Sequence, residues 1–192
     1  MMMKLTLCTI LLLVLQASSF PLDDFDKRQG KTSGQAVLIK GIAGPCLQVH
    51  NQYRAQHSAP ALTLDSNLTS SSEELALLLA NTKSITHHGG YGIYGENIGH
   101  FWLGPSLDDP VQLCQEAVKR WYAENHYFDF DDPFYSAYTK HFTQVVWKSS
   151  TKLGMAIAKI PENYRYNGYY VVARYTPPKS LIYLKENVLP KN

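Results

Sequence analysis

The segment from Lys140 to Trp147 separates its apolar and polar residues at helical spacing. Its large apolar residues recur at i, i+3 and i+4, which predicts a short helix with one buried stripe of Phe142, Val145 and Val146. His141 and Gln144 fall on a neighbouring face, so the pattern predicts an imidazole held in one orientation toward a cleft. A lone histidine is more often a satisfied structural residue, so other parts of the chain must supply its partners.

Three longer stretches show the same periodicity and predict helices. They cover Pro45 to His57, about 68 to 81, and a stretch that begins at Asp109, where aspartate is a natural N-cap and Pro110 suits the first turn. Two starts fit the second helix: a cap at Asp65 or Ser66, or a capping box of Ser70 and Glu73.

The later part of the chain predicts two closing strands. They run from Leu153 to Ile160 and from Tyr169 to Tyr175, with an Asn167-Gly168 turn before the second. The glycine-rich residues 87–99 are expected to turn sharply or to pack close to another backbone. Helices followed by strands, without regular alternation, favour an α+β fold with an antiparallel or mixed sheet covered by helices.

The amino terminus has the pattern of a signal peptide. Lys4 precedes the apolar run Leu5 to Leu15 and the small residues Ala17 to Ser19, so we predict a signal peptide over 1–19 with cleavage before Phe20. The run is shorter than the roughly 20 residues of a membrane span, and the protein is therefore expected to be secreted. Lys27-Arg28 is either a second processing site or a solvated pair of charges.

Composition indicates one globular domain. The chain is 45% hydrophobic, 12% aromatic and 18% charged, and its net charge of +2 without a basic cluster argues against nucleic acid as a partner. Residues 20–44 are rich in glycine and are predicted to be a flexible N-terminal arm, ahead of a domain over 45–178 and a C-terminal tail over 179–192.

Two cysteines remain after the predicted signal peptide, Cys46 and Cys114. An extracellular protein can join such a pair in a disulfide. Each cysteine lies on a predicted helix among apolar neighbours, where a free thiol is a common small hydrophobic group, so we expect two free thiols rather than a bridge. Asn67, in Asn67-Leu68-Thr69, is the predicted glycosylation site.

A carboxylate falls on the apolar stripe of the third helix. Ala117, Trp121 and Glu124 are spaced by four and three residues, so Glu124 faces the core side. Burying an unpaired ionised group is costly, which predicts a partner, a metal, a proton, or a wet cleft at the helix end. The alternative is that Glu124 frays into solvent. Glu96, beside Gly95, would as an isolated acid most often be exposed.

The order of several motifs resembles that of the CAP superfamily, which comprises the cysteine-rich secretory proteins, antigen 5 and pathogenesis-related 1 proteins. These motifs, within residues 45–177, are Val49-His50-Asn51-Gln52-Tyr53-Arg54, His87, Gly95-Glu96-Asn97-Ile98, Trp121-Tyr122-Ala123-Glu124, His141-Phe142-Thr143-Gln144-Val145-Val146-Trp147 and Tyr170-Val171-Val172-Ala173-Arg174-Tyr175. The resemblance implies a three-layer α-β-α sandwich whose central cleft holds His87, Glu96, Glu124 and His141. His87 is assigned over His88, which stands where the family has a small polar residue.

Departures from the family pattern indicate which branch the chain is similar to. Ala173-Arg174-Tyr175 stands where most secreted members carry a cysteine, as in the cysteine-poor Golgi-associated branch. Lys140 replaces a glycine or an acid, and Phe128 replaces a tyrosine, but neither belongs to the tetrad.

The resemblance implies a secreted, non-enzymatic binding protein with no catalytic residues, acting as a monomer or weak dimer. It implies a groove for a lipid or sterol, contact with an anionic membrane surface, and weak binding of Zn2+ by His87 and His141 that folding does not require. One alternative is a metal-dependent hydrolase with Glu96 or Glu124 as base. Another is an interaction protein of defence, venom or matrix in which the tetrad is structural.

Overall fold

The computed structural model describes residues 34–88, 92–102, 109–160 and 168–192. The predicted signal peptide, the Lys27-Arg28 pair and most of the arm lie outside these ranges. The helices described are α1 (Ala43–Ala55), α2 (Ser66–Thr82), α3 (Pro110–Ala123), α4 (Lys140–Val145) and α5 (Leu184–Asn187), with 3-10 turns at Glu124–Tyr127 and Leu181–Tyr183. The strands described are β1 (Val37–Leu38), β2 (Thr63–Leu64), β3 (Gly95–Trp102), β4 (Lys152–Lys159) and β5 (Gly168–Thr176).

The strands form one mixed sheet in the order β1-β4-β5-β3, and β2 adds to β4. Only the β2–β4 pair is parallel among the strands described; the others are antiparallel. Helix α2 packs on one face, where it shares a core with Ala156, Ala158 and Val172. Helices α1, α3 and α4 cover the other face, where they share a core with Leu153, Met155 and Ile157 of β4. The predicted three-layer α-β-α sandwich is therefore confirmed.

Helices α2 and α3 begin at predicted caps, whereas α1 begins at Ala43, two residues before the predicted start at Pro45 and without a side-chain cap. Asp65 accepts a hydrogen bond from the Leu68 amide at 3.0 Å, so α2 begins with the earlier of its alternative starts and not with the capping box. Asp109 caps α3 through the Val111 amide at 2.9 Å, as predicted. Asn67 is exposed in the first turn of α2.

Residues 87–99 were expected to turn sharply or to pack close to another backbone, and the strand β3 that begins at Gly95 was not predicted. Gly95 and Gly99 interrupt the side-chain pattern that identifies a strand, yet both are needed for packing. A Cβ at Gly95 would overlap the Gln144 side chain, and one at Gly99 would overlap the Phe101 ring. The glycines therefore mark close approach along a strand rather than a turn.

The expectation of two free thiols was also wrong, because Cys46 and Cys114 form a disulfide that joins α1 to α3. Both cysteines are fully buried, and their Cα atoms lie 5.0 Å apart, within the range that a disulfide spans. Each helix alone gives the same apolar pattern for a buried thiol and for a bridge, so the pairing is visible only once the helices are packed.

The predicted C-terminal tail contains α5 and contributes to the core. Leu184 and Val188 are buried beside the helices of the α1 face. The Leu189 carbonyl contacts Nδ1 of buried His57 at 2.6 Å, and the Asn192 amide donates to the Gln56 carbonyl at 3.0 Å. No helix in the described ranges has the length and apolar character needed to cross a bilayer.

Candidate functional site: two histidine–glutamate pairs beside strand β3

The first pair joins Glu124 to His141. Glu124 lies one residue beyond α3, and its side chain is 21% exposed at the end of that helix. One carboxylate oxygen, Oε1, lies 2.6 Å from Nδ1 of His141. The other accepts the backbone amides of His141 and Phe142 at 2.8 and 3.1 Å. Glu124 is therefore paired at the end of its helix, and it fixes both the position and the ring orientation of His141.

The apolar stripe predicted on α4 is confirmed, since Phe142, Val145 and Val146 are fully buried. His141 keeps 18% of its side chain exposed, and its ring stacks on Trp121 with centroids 6.3 Å apart. Gln144 does not face a cleft. It is fully buried, with Nε2 donating to the Ser150 hydroxyl at 3.3 Å, because the missing side chain at Gly95 leaves room for it.

The second pair joins His87 to Glu96. Nδ1 of His87 lies 3.1 Å from Glu96 Oε1, which also accepts the His88 amide at 3.1 Å. The Glu96 side chain is 4% exposed, in contrast to the expectation for an isolated acid. Burial raises the pKa of Glu96, but hydrogen bonds from His87 and Arg174 outweigh burial, and the pKa lies below its usual value.

Arg174 is the site residue that sequence reasoning missed. Its Nε and Nη2 donate to Glu96 Oε2 at 3.1 and 3.0 Å, and its Nη1 donates to the Ser71 carbonyl at 2.8 Å. Its guanidinium also lies 4.4 Å from the centre of the Tyr94 ring. Glu96 and Arg174 are register partners on β3 and β5, and the pair was invisible while β3 was not recognised as a strand.

The two pairs attach to opposite faces of β3. Glu96 and Asn97 are consecutive, so their side chains project from opposite faces of the strand. Glu96 binds His87 on the α2 side, whereas the Asn97 amide donates to the His141 carbonyl at 3.1 Å. Within the described ranges, no group of three or more His, Cys, Asp or Glu side chains is arranged to hold a metal. The tetrad is therefore built as two pairs linked through one strand.

Both glutamates bind the Nδ1 atom of their histidine. Neither Nε2 atom of the two histidines has a hydrogen-bond partner in the described part of the chain. His87 is the more accessible, with 47% of its side chain exposed. Each imidazole is thus oriented by a carboxylate and presents its other nitrogen to an incoming ligand.

A chain of buried, hydrogen-bonded side chains links His50 to the backbone of His141. Nδ1 of His50 lies 2.8 Å from the Cys46 carbonyl, and Nε2 lies 2.8 Å from the Tyr175 hydroxyl. That hydroxyl also accepts from Asn97 at 3.4 Å, and Asn97 holds the His141 carbonyl. Because the carbonyl can only accept, His50 is neutral with its proton on Nδ1, and burial lowers its pKa to about 4.

The lowered pKa of His50 predicts acid destabilisation. A histidine whose folded-state pKa is lowered from 6.5 to about 4 stabilises the fold fully above pH 6.5, and this stability is lost as the pH falls toward 4. The expected loss is about 3 kcal/mol, measured by urea unfolding at stepped pH. His50→Gln should be less stable at pH 7 but should lack this step. An unchanged step in the variant would show that another group causes it.

Lys179 places a cation near the Glu124–His141 pair. Its ammonium donates to the Lys140 carbonyl at 2.5 Å and to the Thr143 hydroxyl at 3.3 Å. Burial lowers the pKa of Lys179 to about 8, although the charge of Glu124 opposes the shift.

An open recess of about 560 Å³ lies along the end of α3, between Arg120 and Tyr127, and includes Glu124 in its wall.

The fold and the paired His and Glu residues define a class of protein: the chain belongs to the Cysteine-rich secretory protein (CAP) family, which it matches over residues 47–175. It is 34% identical over 149 residues to Golgi-associated plant pathogenesis-related protein 1 of Homo sapiens, covering 75% of this chain and 90% of that protein. It is 30% identical over 138 residues to pathogenesis-related protein 1B of Nicotiana tabacum, covering 71% and 75%. Secreted protein RBT4 of Candida albicans is 32% identical over 171 residues, or 83% of this chain, which spans 44% of RBT4.

Solved structures show the same fold at low sequence identity. The structure of BmVAL-1 has a TM-score of 0.61 at 18% identity, covering 80% of this chain and 85% of that one. The crystal structure of NaASP2 with Zn2+ has a TM-score of 0.55 at 19% identity, covering 81% and 88%. Members of the family are generally not classical enzymes.

Proposed function

We propose that this chain is a secreted, non-enzymatic binding protein whose cleft holds a divalent cation such as Zn2+ through Nε2 of His87 and His141. The two imidazoles would meet past the start of β3, where Glu96 and Asn97 anchor the two pairs on opposite faces of the strand. The observation that carries the proposal is the shared orientation of the two imidazoles, each bound at Nδ1 by a glutamate. A carboxylate on the second ring nitrogen is the arrangement that orients metal-binding histidines in proteins. The zinc in the NaASP2 crystal structure, a protein of the same fold, adds support.

The donor set fits a weak site. Imidazole nitrogen is a preferred ligand of Zn2+, but structural zinc sites use four protein ligands and catalytic sites usually three. His87 and His141 supply two, so water would complete the coordination and folding would not depend on the ion. When bound, the ion would polarise an oxygen of a ligand placed in the cleft.

The first test is isothermal titration of the secreted protein with Zn2+. We expect binding in the micromolar range that is lost in His87→Ala and in His141→Ala, and weakened about 10- to 100-fold in Glu124→Gln. His88→Ala is the matched control, because His88 is exposed beside His87 and it is its backbone amide that donates to Glu96. No binding by the wild type, together with destabilisation by both histidine variants, would favour the structural tetrad of an interaction protein.

The bonding of the two glutamates supports a non-enzymatic role. Glu124 accepts three hydrogen bonds, two of them from backbone amides, and Glu96 is held by Arg174, His87 and the His88 amide. A carboxylate engaged in this way, with a pKa below its usual value in the case of Glu96, is a poor general base. Peptide cleavage that is abolished by chelation and by His141→Ala would contradict this part of the proposal.

A second candidate function is binding of a lipid or sterol, or of an anionic membrane surface, and exposed apolar side chains favour it. Tyr127, Phe134 and Tyr138 are 73%, 65% and 78% exposed in the stretch that connects Glu124 to His141, and Ile182 is 77% exposed. Exposed apolar groups of this size commonly mark interaction sites. Lys140 and Lys179 add positive charge in the same part of the fold.

Vesicle sedimentation with and without anionic lipid tests this candidate, alongside extraction of sterol from the same vesicles. We expect Phe134→Ser with Tyr138→Ser to reduce binding by at least about tenfold, since each exposed aromatic side chain contributes a large apolar area. Val37→Ser is the control, because Val37 is 62% exposed on the distant strand β1. Equal binding by all variants, or none by the wild type, would contradict it.

A further inference from the structure

The outer edge of β4 has a gap between its two neighbouring strands. β2 pairs with β4 at residues 152–153, and β1 pairs with it at 158–159. Two further hydrogen bonds flank the gap: the Asp65 amide donates to the Leu153 carbonyl at 3.0 Å, and the Ile39 amide donates to the Ile157 carbonyl at 2.8 Å. Neither reaches residues 154–156. None of the strands in the described ranges therefore pairs with Gly154 to Ala156 on this edge.

The backbone amide and carbonyl of Met155 point into this gap. The carbonyls of Thr151, Leu153 and Ile157 all accept bonds at the outer edge of β4. Backbone groups alternate between the two edges of a strand with a period of two residues, so the amide and carbonyl of Met155 face the same edge. An unpaired backbone group away from water is costly, so the gap favours an occupant that can form a hydrogen bond.

A cavity of about 170 Å³ occupies the gap. Its walls are mostly apolar and include Leu38, Ile39, Ile42, Ala43, Met155 and Ala156. An engineered apolar cavity of about 150 Å³ is large enough to bind benzene, so this one accommodates a molecule with about six to eight non-hydrogen atoms.

The rim of the cavity carries one charge of each sign. Lys40 Nζ lies 3.7 Å from Glu73 Oε1, with side chains 77% and 36% exposed. Opposite charges at the entrance give no net preference for an anion or a cation. An exposed pair of this kind contributes little free energy, so it opens readily to admit a neutral molecule.

We propose that this cavity is a second binding site, for a small neutral molecule with an apolar body and one hydroxyl group that donates to the Met155 carbonyl. The site lies on the β1–β4 edge, whereas the His–Glu pairs lie beside β3 at the other end of the sheet order. It does not depend on the metal or lipid site.

Met155 lines the cavity, so the NMR signal of its methyl group provides the readout. The chain has four methionines, and the other three are its first three residues, so 13C-methyl labelling gives one methionine signal from the described part of the domain. We expect phenol to shift that signal saturably, in concentrations up to about 10 mM for so small a ligand. Toluene has the same size but no hydroxyl, and it should bind about fivefold more weakly.

Two variants place a larger side chain in the wall of the cavity. Gly44 lies on its wall in a helical turn, where an added Cβ meets no atom within 4 Å, so Gly44→Leu fills open space. Ala43→Leu is a second block, and Gln48→Leu is the control, exposed one turn further along the same helix and not among the residues that line the cavity. Loss of the shift in both blocked variants but not in the control supports the proposal. No shift with either probe, an unchanged shift in Gly44→Leu, or equal binding of toluene and phenol overturns it.

Discussion

Replacing Cys46 and Cys114 together by alanine is expected to lower the free energy of unfolding by about 4 kcal/mol. The two residues are separated by 68 positions, and the bridge removes the entropy of that loop from the unfolded chain. Because α1 and α3 both carry residues that support the His141 region, the loss should appear as cooperative unfolding at lower denaturant concentration rather than as local opening.

Urea unfolding of the wild type in the presence and absence of a reducing agent is the measurement. The reduced wild type should match the double variant closely, and the double variant itself should not respond to the reductant. Wild type that keeps its midpoint after complete reduction, checked by thiol titration, would show that helix packing alone holds α1 to α3.

The second large effect is expected from Glu96→Ala, which leaves Arg174 buried without its counter-ion. The two side chains are 4% and 6% exposed, and breaking a buried pair costs about 3–5 kcal/mol, since the remaining charge stays uncompensated. Glu96→Ala combined with Arg174→Met should recover much of the loss, because it removes the unpaired charge as well.

The chain provides a matched control in Glu116 and Arg120, a pair at i, i+4 on α3 with side chains 34% and 56% exposed. Glu116→Ala should cost less than about 1 kcal/mol, as exposed pairs do. His87→Ala should also cost little, given that half its side chain is exposed. Equal losses for Glu96→Ala and Glu116→Ala would contradict the structural importance assigned to the Glu96–Arg174 pair.

The parts of the fold that sequence predicted are those governed by local periodicity. Asp109 and the apolar residues that follow it identify α3, because capping and a 3.6-residue stripe are both properties of one segment. The stripe of Phe142, Val145 and Val146 likewise located α4 and oriented His141. The family resemblance contributed the pairing of distant His and Glu residues, which no local pattern contains.

The parts that could not be predicted depend on contacts between segments. The Cys46–Cys114 bridge requires the packing of α1 on α3, and Arg174 becomes a site residue only because β5 places it opposite Glu96. Gly95 gave a turn signal on its own, although it serves to make room for Gln144 on another element. Each of these errors comes from reading a tertiary requirement as a local preference.

The consecutive placement of Glu96 and Asn97 also determines how β3 is aligned on β5. A slip of one residue would exchange the faces of the strand, putting the carboxylate toward His141 and the amide toward Arg174. The two glycines of β3 have no side chain with which to oppose such a slip, so the apolar alternation that normally fixes alignment is weak here. The salt bridge on one face and the Asn97 contacts with Tyr175 and His141 on the other supply that information instead. In β3, the polar residues that build the cleft therefore also specify strand alignment. Substitutions that remove the charged residues of the cleft should allow β3 to pair with β5 in more than one register.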